Sequence, residues 1–278
     1  MLRLINFAHS EVFMIGTFGT LLTTHALGID AYPSNAIAVI GVILLCSLAA
    51  MAASGAAAVV LERVAYRPLR RRNASRLAAL ISAIGASFFL QELFARWRGR
   101  DNEPFDPVLK KKTLFTFFGA DVRSDKVLVV VAAVLMMIAL DRFVKQARLG
   151  RGIRAVAQDP ETATLMGVDI DRVITATFLL GGVMAGAAAE LYSLRFDVTW
   201  WQVGFILGIK AFTAAVLGGI GNLRGALLGG FALGLIENWG AAVWGSEWKD
   251  VIAFTVLVGV LMVRPTGILG ESLARARA

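Results

Sequence analysis

Charge is scarce in this sequence. Only 17% of its 278 residues are Asp, Glu, Lys or Arg, while 57% are apolar; soluble globular chains average about a quarter charged and about half apolar. A water-soluble fold of this length could not hide so much apolar surface, which sets aside soluble enzymes and soluble binding modules. Cysteine is nearly absent. Cys46 is the only one, so an intrachain disulfide is excluded, and its place inside a long apolar run assigns it to packing rather than to a metal. The two histidines, His9 and His25, fall near the first hydrophobic segment with no HExxH pattern, which argues against a metal-dependent intramembrane hydrolase. No GxxxxGK[ST] motif occurs, so any ATP that drives this protein is hydrolysed on another chain. The opening MLRLINFAHSEVFMIG lacks a signal-peptide cleavage site and leads into a hydrophobic segment that is expected to be retained.

What the sequence has in abundance is hydrophobic runs. Residues Ala36 to Leu61 contain no charge over 26 positions; as a helix they measure roughly 39 Å, more than the roughly 30 Å hydrocarbon layer requires. The segment therefore spans a membrane, with tilt. Similar segments lie near 11–28, 77–95, 127–141, 173–190, 205–219, 225–239 and 250–263. The expected fold is all-α: a polytopic transmembrane helical bundle of about eight segments, read as a single transmembrane domain over 1–278. The first segment, opened by His9 and Glu11, is short and polar enough to be re-entrant rather than spanning. Eight crossings put both termini on one side. The loops of that side (1–10, 61–76, 142–172, 219–224 and 264–278) hold 17 of the 28 Lys and Arg residues, and the opposite loops (97–125, 191–204 and 241–249) hold 8. The positive-inside rule then places the termini and 142–172 in the cytoplasm, and 97–125 outside. The formal charge of +8 thus belongs to membrane topology and not to nucleic-acid binding. Trp97, Trp200, Trp201, Trp239, Trp244 and Trp248 all fall near the expected outer boundary, as in an aromatic belt. The loop 97–125 reads as irregular chain followed by a short hairpin; it is either a docking element or a solvated connector.

Between the fourth and fifth segments lies KQARLGRGIRAVAQDPETATLMGVDIDRV, which carries two helix signals. In the second, Asp159 suits an N-cap, Pro160 the first helical position, Glu161 the positive helix end, and Gly167 after Met166 a stop. A short cytoplasmic helix is expected, either a rigid element that couples the spans to a soluble motor or an ordinary amphipathic surface helix. Two polar or Gly-broken regions are candidates for a translocation path. One is the turn containing Gly218, Gly219, Gly221 and Asn222, where breaks either let helices approach closely or free peptide groups for substrate. The other is the set Asn6, His9 and Glu11. Ionisable residues within apolar stretches are Glu92, Asp141, Glu190, Lys210 and Glu237. All but Lys210 lie near span ends, where snorkelling or interfacial exposure accounts for them. Lys210 sits deeper, with Glu190 and Glu237 as candidate partners.

Four segments in order, LRLINFAHSEVFMIG, LGRGIRAVAQDPETATLMGVD, LGGIGNLRGALLGGFALGLIEN and VLVGVLMVRPTGILGE, resemble the permeases of the branched-chain amino acid ABC transporter family, closer to the LivH than to the LivM type. The likeness covers nearly the whole chain. It implies an inner-membrane, multi-pass subunit with a cytoplasmic C-terminus that pairs with a second permease, a related but different chain. It further implies two ATP-binding subunits docked on cytoplasmic loops and a periplasmic binding protein that delivers branched-chain or related small amino acids. No cofactor is expected on this chain, since ATP is used by the partner subunits. By position, residues 155–167 resemble the coupling loop: Ala155, Gln158, Asp159, Pro160, Glu161, Ala163, Met166 and Gly167, with Ala163 and Gly167 at its small-residue positions. The Glu that often opens the pattern is not obvious; Gln158 and Asp159 stand in its neighbourhood. Relatives usually carry a further hydrophobic helix upstream of the INFAHG-like motif, and Ser10 stands where Gly is common, so the resemblance points to a start placed too late. The alternatives are an ion-coupled secondary transporter of small polar solutes, which needs carboxylates on broken helices near midmembrane, and a plain channel, which needs no structured coupling loop.

Overall fold

The computed structural model describes residues 8–28, 35–72, 74–105, 107–117, 120–264 and 266–270. Helix α1 (His9–Ala26) precedes α2 (Ala36–Leu61), which passes without interruption into a π-turn (Glu62–Tyr66) and α3 (Arg67–Arg71). Helix α4 (Arg76–Arg98) starts at Ser75, whose Oγ accepts the Ala78 amide at 3.2 Å. Strand β1 (Glu103–Pro104), strands β2 (Thr113–Phe117) and β3 (Ala120–Arg123), then α5 (Ser124–Gln146) follow. Next come α6 (Arg148–Gln158), α7 (Pro160–Leu165), α8 (Ile170–Phe196), β4 (Val198–Thr199), α9 (Val203–Gly218), α10 (Leu223–Trp244) and α11 (Lys249–Val263). Every hydrophobic segment expected from sequence is helical. Among the described residues five helical runs are long and apolar enough to cross a membrane: Ile37–Arg71, Leu77–Arg98, Ser124–Gln146, Ile170–Phe196 and Leu223–Trp244. β2 and β3 form the expected hairpin of the 97–125 loop, and β1 pairs antiparallel with β4.

The stretch 61–76 was expected as a loop, and this is corrected: it stays helical to Arg71. The reason is local charge balance. Glu62, fully buried, takes Arg70 at 3.0 Å and Arg67 at 3.3 Å, and Asp171 takes Arg70 at 2.6 Å and Arg71 at 3.2 Å. Arg67, Arg70 and Arg71, which look like part of a solvated loop, are thus tied down within the helical run.

The chain forms two compact units. In the first, residues 1–132 and 142–205, helices α1, α2 and α8 pack closely because their facing positions are small. A Cβ added to Gly182 would lie 2.6 Å from Ala58 Cβ and 2.7 Å from Ser54 O, and one on Gly186 would lie 2.6 Å from Met51 Cα. Such close approach replaces the hydrophobic drive that lipid does not supply between helices. Val12, Ala58, Leu61, Tyr66, Ala83 and Ala185 fill the core around this contact. In the second unit, residues 133–141 and 206–278, Leu217, Leu233 and Ala253 form the core.

The ionisable residues divide differently from the sequence expectation. Glu92 pairs with Arg96 and Arg100 at an exposed helix end, and Asp141 with Arg224 at 3.1 Å. Glu190 does not snorkel: it is 1% exposed, its Oε2 accepting from Thr20 Oγ1 at 2.6 Å across the α1–α8 contact. Lys210 pairs with Glu237 at 3.3 Å, as one expectation had it, and also with Asp250 at 2.8 Å. Glu190 is thereby removed as its partner.

Candidate functional site

The coupling-loop candidate is a folded module of the first unit. Asp159 ends α6 and caps α7: its Oδ1 accepts the Glu161 amide at 3.0 Å and its Oδ2 the Thr162 hydroxyl at 2.5 Å. Bonding from the Thr162 hydroxyl, then from the Thr162 and Glu161 amides, holds the Asp159 carboxyl below the usual carboxylate range. Pro160 occupies the first turn, where its missing N–H costs nothing. At the other end Val168 N donates to Ala163 O (3.0 Å) and Gly167 N to Thr164 O (2.9 Å), with Gly167 at φ +81°. This is a Schellman stop, which favours glycine at that position. Val156, Ala163 and Val173 form a small buried core, with Ile153, Ala155, Val168 and Ile170 around it. Gly150 seats α6 against the end of α5, where any Cβ would lie 2.5 Å from Phe143 O. Gln158 and Glu161 are exposed, and so are Leu165 (87%) and Met166 (80%), leaving an apolar knob at the tip of the module. The expected cap, first-turn proline and glycine stop are all present; their role in coupling is a separate matter.

The two groups of path candidates lie in different units. Asn6 lies outside the described residues. His9 rests against Gly181, where an added Cβ would come 3.2 Å from its Cε1. Glu11 is fully buried, its Oε1 accepting from Gln91 Nε2 (2.8 Å), Ser87 Oγ (3.1 Å) and Ser10 Oγ (3.2 Å). Sequence reasoning missed the polar line that continues this site. Thr17 shares a hydrogen bond with Thr199 at 2.6 Å, Thr20 holds Glu190, and Thr24 bonds back to Leu21 O. A signal existed: Thr17, Thr20 and Thr24 are spaced to share one helix face, and Ser87 and Gln91 are four apart.

In the second unit Gly218, Gly219, Gly221 and Asn222 build the α9–α10 turn. Gly219 and Gly221 take φ of +112° and +95°. Asn222 caps α10 by accepting the Arg224 and Gly225 amides, both at 3.1 Å, and donates to Leu269 O at 3.0 Å. Ile268 and Leu269 donate to Leu217 O (2.8 Å) and Gly218 O (3.0 Å). Gly218 meets the Gly225 backbone with no room for a Cβ. The four positions build a tight turn and a close α9–α10 contact.

Comparison with known proteins identifies the family. The family described as branched-chain amino acid transport system / permease component matches residues 1–261. The chain belongs to this permease family. The high-affinity branched-chain amino acid transport system permease protein BraD of Pseudomonas aeruginosa is 41% identical over 98% of this chain and 87% of its own length. LivH proteins of the same description from Salmonella typhimurium and Escherichia coli K12 are 40% and 39% identical, with the same coverage. No solved structure matches the chain. It is accordingly a multi-pass membrane permease subunit of a branched-chain amino acid transport system, a transport component rather than an enzyme, and it works with partner subunits. Within a permease, Glu11 and Glu190 are polar cross-links between helices: Gln91 and Ser87 donate to Glu11 Oε1 and Thr20 donates to Glu190, while Glu11 Oε2 is buried without a hydrogen-bond partner among the described residues.

Proposed function

We propose that this permease subunit pairs with a related but different chain to form the pathway of an ABC importer in the cytoplasmic membrane. All eight hydrophobic helices cross or enter the bilayer, with 97–125 outside and 142–172 and the C-terminus in the cytoplasm. A periplasmic binding protein delivers branched-chain or related small amino acids to the outer face, and two ATP-binding subunits hydrolyse ATP below. The observation that carries this reading is the α6–α7 module, a rigid unit with its own core that exposes Leu165 and Met166 and runs directly into α8. Residues Ala155 to Gly167 then act as the coupling loop, and closure of the ATPase pair moves them to switch the spans between inward- and outward-open states. Within the first unit His9 and Glu11 on α1 are proposed contributors to the substrate path, and within the second unit the Gly218–Asn222 turn is a separate one.

Uptake of labelled leucine into proteoliposomes holding the assembled transporter tests this. Wild type requires ATP and the binding protein. Gly167→Pro abolishes uptake with the subunits still assembled, because proline can take neither φ +81° nor the amide bond to Thr164. Uptake by this chain alone on an ion gradient overturns the proposal.

A further inference from the structure

The end of the α2 run and the start of α8 enclose an open cleft of about 510 Å³ in the first unit. Its rim is cationic. Arg63 is exposed and its guanidinium pairs with none of the described residues. Arg67 reaches in beside it, held by Glu62 and by Thr175 Oγ1 at 2.8 Å, and Arg172 closes the far side. The two carboxylates at the rim are already engaged: Asp171 by Arg70 and Arg71, and Asp169 by the Arg172 amide it caps and the Arg172 side chain at 3.0 Å. Toward the apolar part of both helices the character reverses. Ala176 and Leu179 line the cleft one and two turns farther along α8, and Val60, about one turn before Arg63 toward the apolar stretch, is exposed on the neighbouring run. The cleft therefore has guanidinium groups at one end and exposed apolar side chains at the other, toward the long apolar stretches of both helices.

We propose that this cleft is a binding site for an anionic phospholipid, its phosphate held by Arg63, Arg67 and Arg172 and its acyl chain lying along Leu179 and Val60. A free phosphate would use the arginines but leave the apolar walls wet. A docked protein subunit would cover the arginines but not the apolar end, which lies toward the apolar stretches of both helices. Cation-rich segments at a cytoplasmic membrane surface draw anionic lipid, and clefts between spanning helices there take its headgroups. The planar fork of arginine suits a phosphate better than the point charge of lysine does. The site needs only that this end of the bundle lies at a membrane surface, so it stands or falls independently of substrate uptake.

Native mass spectrometry of the full chain in mild detergent, titrated with phosphatidylglycerol and phosphatidylcholine, tests the assignment. Wild type retains phosphatidylglycerol over phosphatidylcholine by about fivefold or more, and Arg63→Gln/Arg172→Gln brings the ratio to about one. Both substituted side chains are exposed, so an unchanged melting temperature verifies the fold, and Arg63→Lys/Arg172→Lys recovers part of the preference. Lys112→Gln/Lys126→Gln, an equal charge loss elsewhere, leaves the preference intact. Three results overturn the proposal: no lipid preference in wild type; equal loss in the Lys112/Lys126 variant; or displacement of the lipid by millimolar inorganic phosphate. An Arg63/Arg172 variant that keeps the preference but no longer co-purifies with an ATP-binding subunit assigns the cleft to that partner and overturns it as well.

Discussion

Replacing Glu62 by Gln removes one negative charge from the junction of α2 and α8 while keeping its shape. The carboxylate is fully buried, 3.0 Å from Arg70 Nη2 and 3.3 Å from Arg67 Nη2, and it accepts from Thr175 Oγ1 at 3.1 Å. Taking one member from a fully buried ion pair costs about 3–5 kcal/mol, mainly because the partner's charge is left behind. Here the arginines are not fully buried, at 27% and 19% side-chain exposure, so water takes up part of the loss. Arg70 also keeps Asp171 at 2.6 Å. The expected cost is therefore about 2–3 kcal/mol, which at roughly 2–4 °C per kcal/mol lowers the melting temperature by about 4–12 °C. Thermal unfolding in detergent, followed by tryptophan fluorescence, reads this directly. A double-mutant cycle with Arg70→Gln then isolates the pair, and the two losses together should be smaller than their sum. A melting temperature within about 1 °C of wild type, or strictly additive losses, would refute the claim that Glu62 organises this junction.

Gly186→Leu should block assembly of the first unit, because its side chain would enter the α2 backbone at Ala50 and Met51, while Gly230→Ala, with open space around it, should behave as wild type in membrane yield and gel filtration. Lys210→Met leaves Glu237 and Asp250 facing each other without their shared cation, so uptake and melting temperature should both fall; Lys210→Met/Glu237→Gln should regain part of the loss, and full activity of the single mutant would remove the pair from the account. Asp159→Ala should speed amide exchange at Glu161 and Thr162 without affecting α6. Because the folded carboxyl titrates below its usual 3.8, this capping contribution is complete above that pH and is lost as pH falls through the lower folded value. The exchange difference should hold from about pH 5 to 8 and close in stronger acid; a difference that persists there would show that the carboxylate is not its source.

The hydrophobic helices were legible because each is an apolar run between polar or glycine-containing joints, and the α7 module because Asp159, Pro160 and Gly167 are local signals that need no tertiary partner. The glycine turn was legible as a break but not as a packed turn, since the residues that cover it, Ile268 and Leu269, come about fifty positions later. What the sequence hid are charges whose partners are distant. Glu190 looked interfacial because it lies near the end of an apolar stretch, and only the approach of Thr20, 170 positions earlier, shows why it can stay inside. Arg67 and Arg70 looked like loop cations because Glu62 precedes them by five and eight positions, spacings that pair side chains here through the π-turn rather than through an ordinary helical turn.

That π-turn also bears on how the proposed coupling loop would communicate with the bundle. The core of the module contains Val173, so α7 cannot tilt without the first turn of α8. That same turn carries Asp171 and Thr175, which hold Arg70, Arg71, Arg67 and Glu62 of the neighbouring run. Displacement of Leu165 and Met166 would therefore load two spanning helices at once. Ordinary α-helix above and below the π-turn is stiff, whereas the turn itself has wider, weaker hydrogen bonding and can change register at lower cost. On the proposed coupling role, the point of compliance would lie next to the point where the load arrives, while deeper in the bundle the close Gly182 and Gly186 contacts would hold α2 against α8.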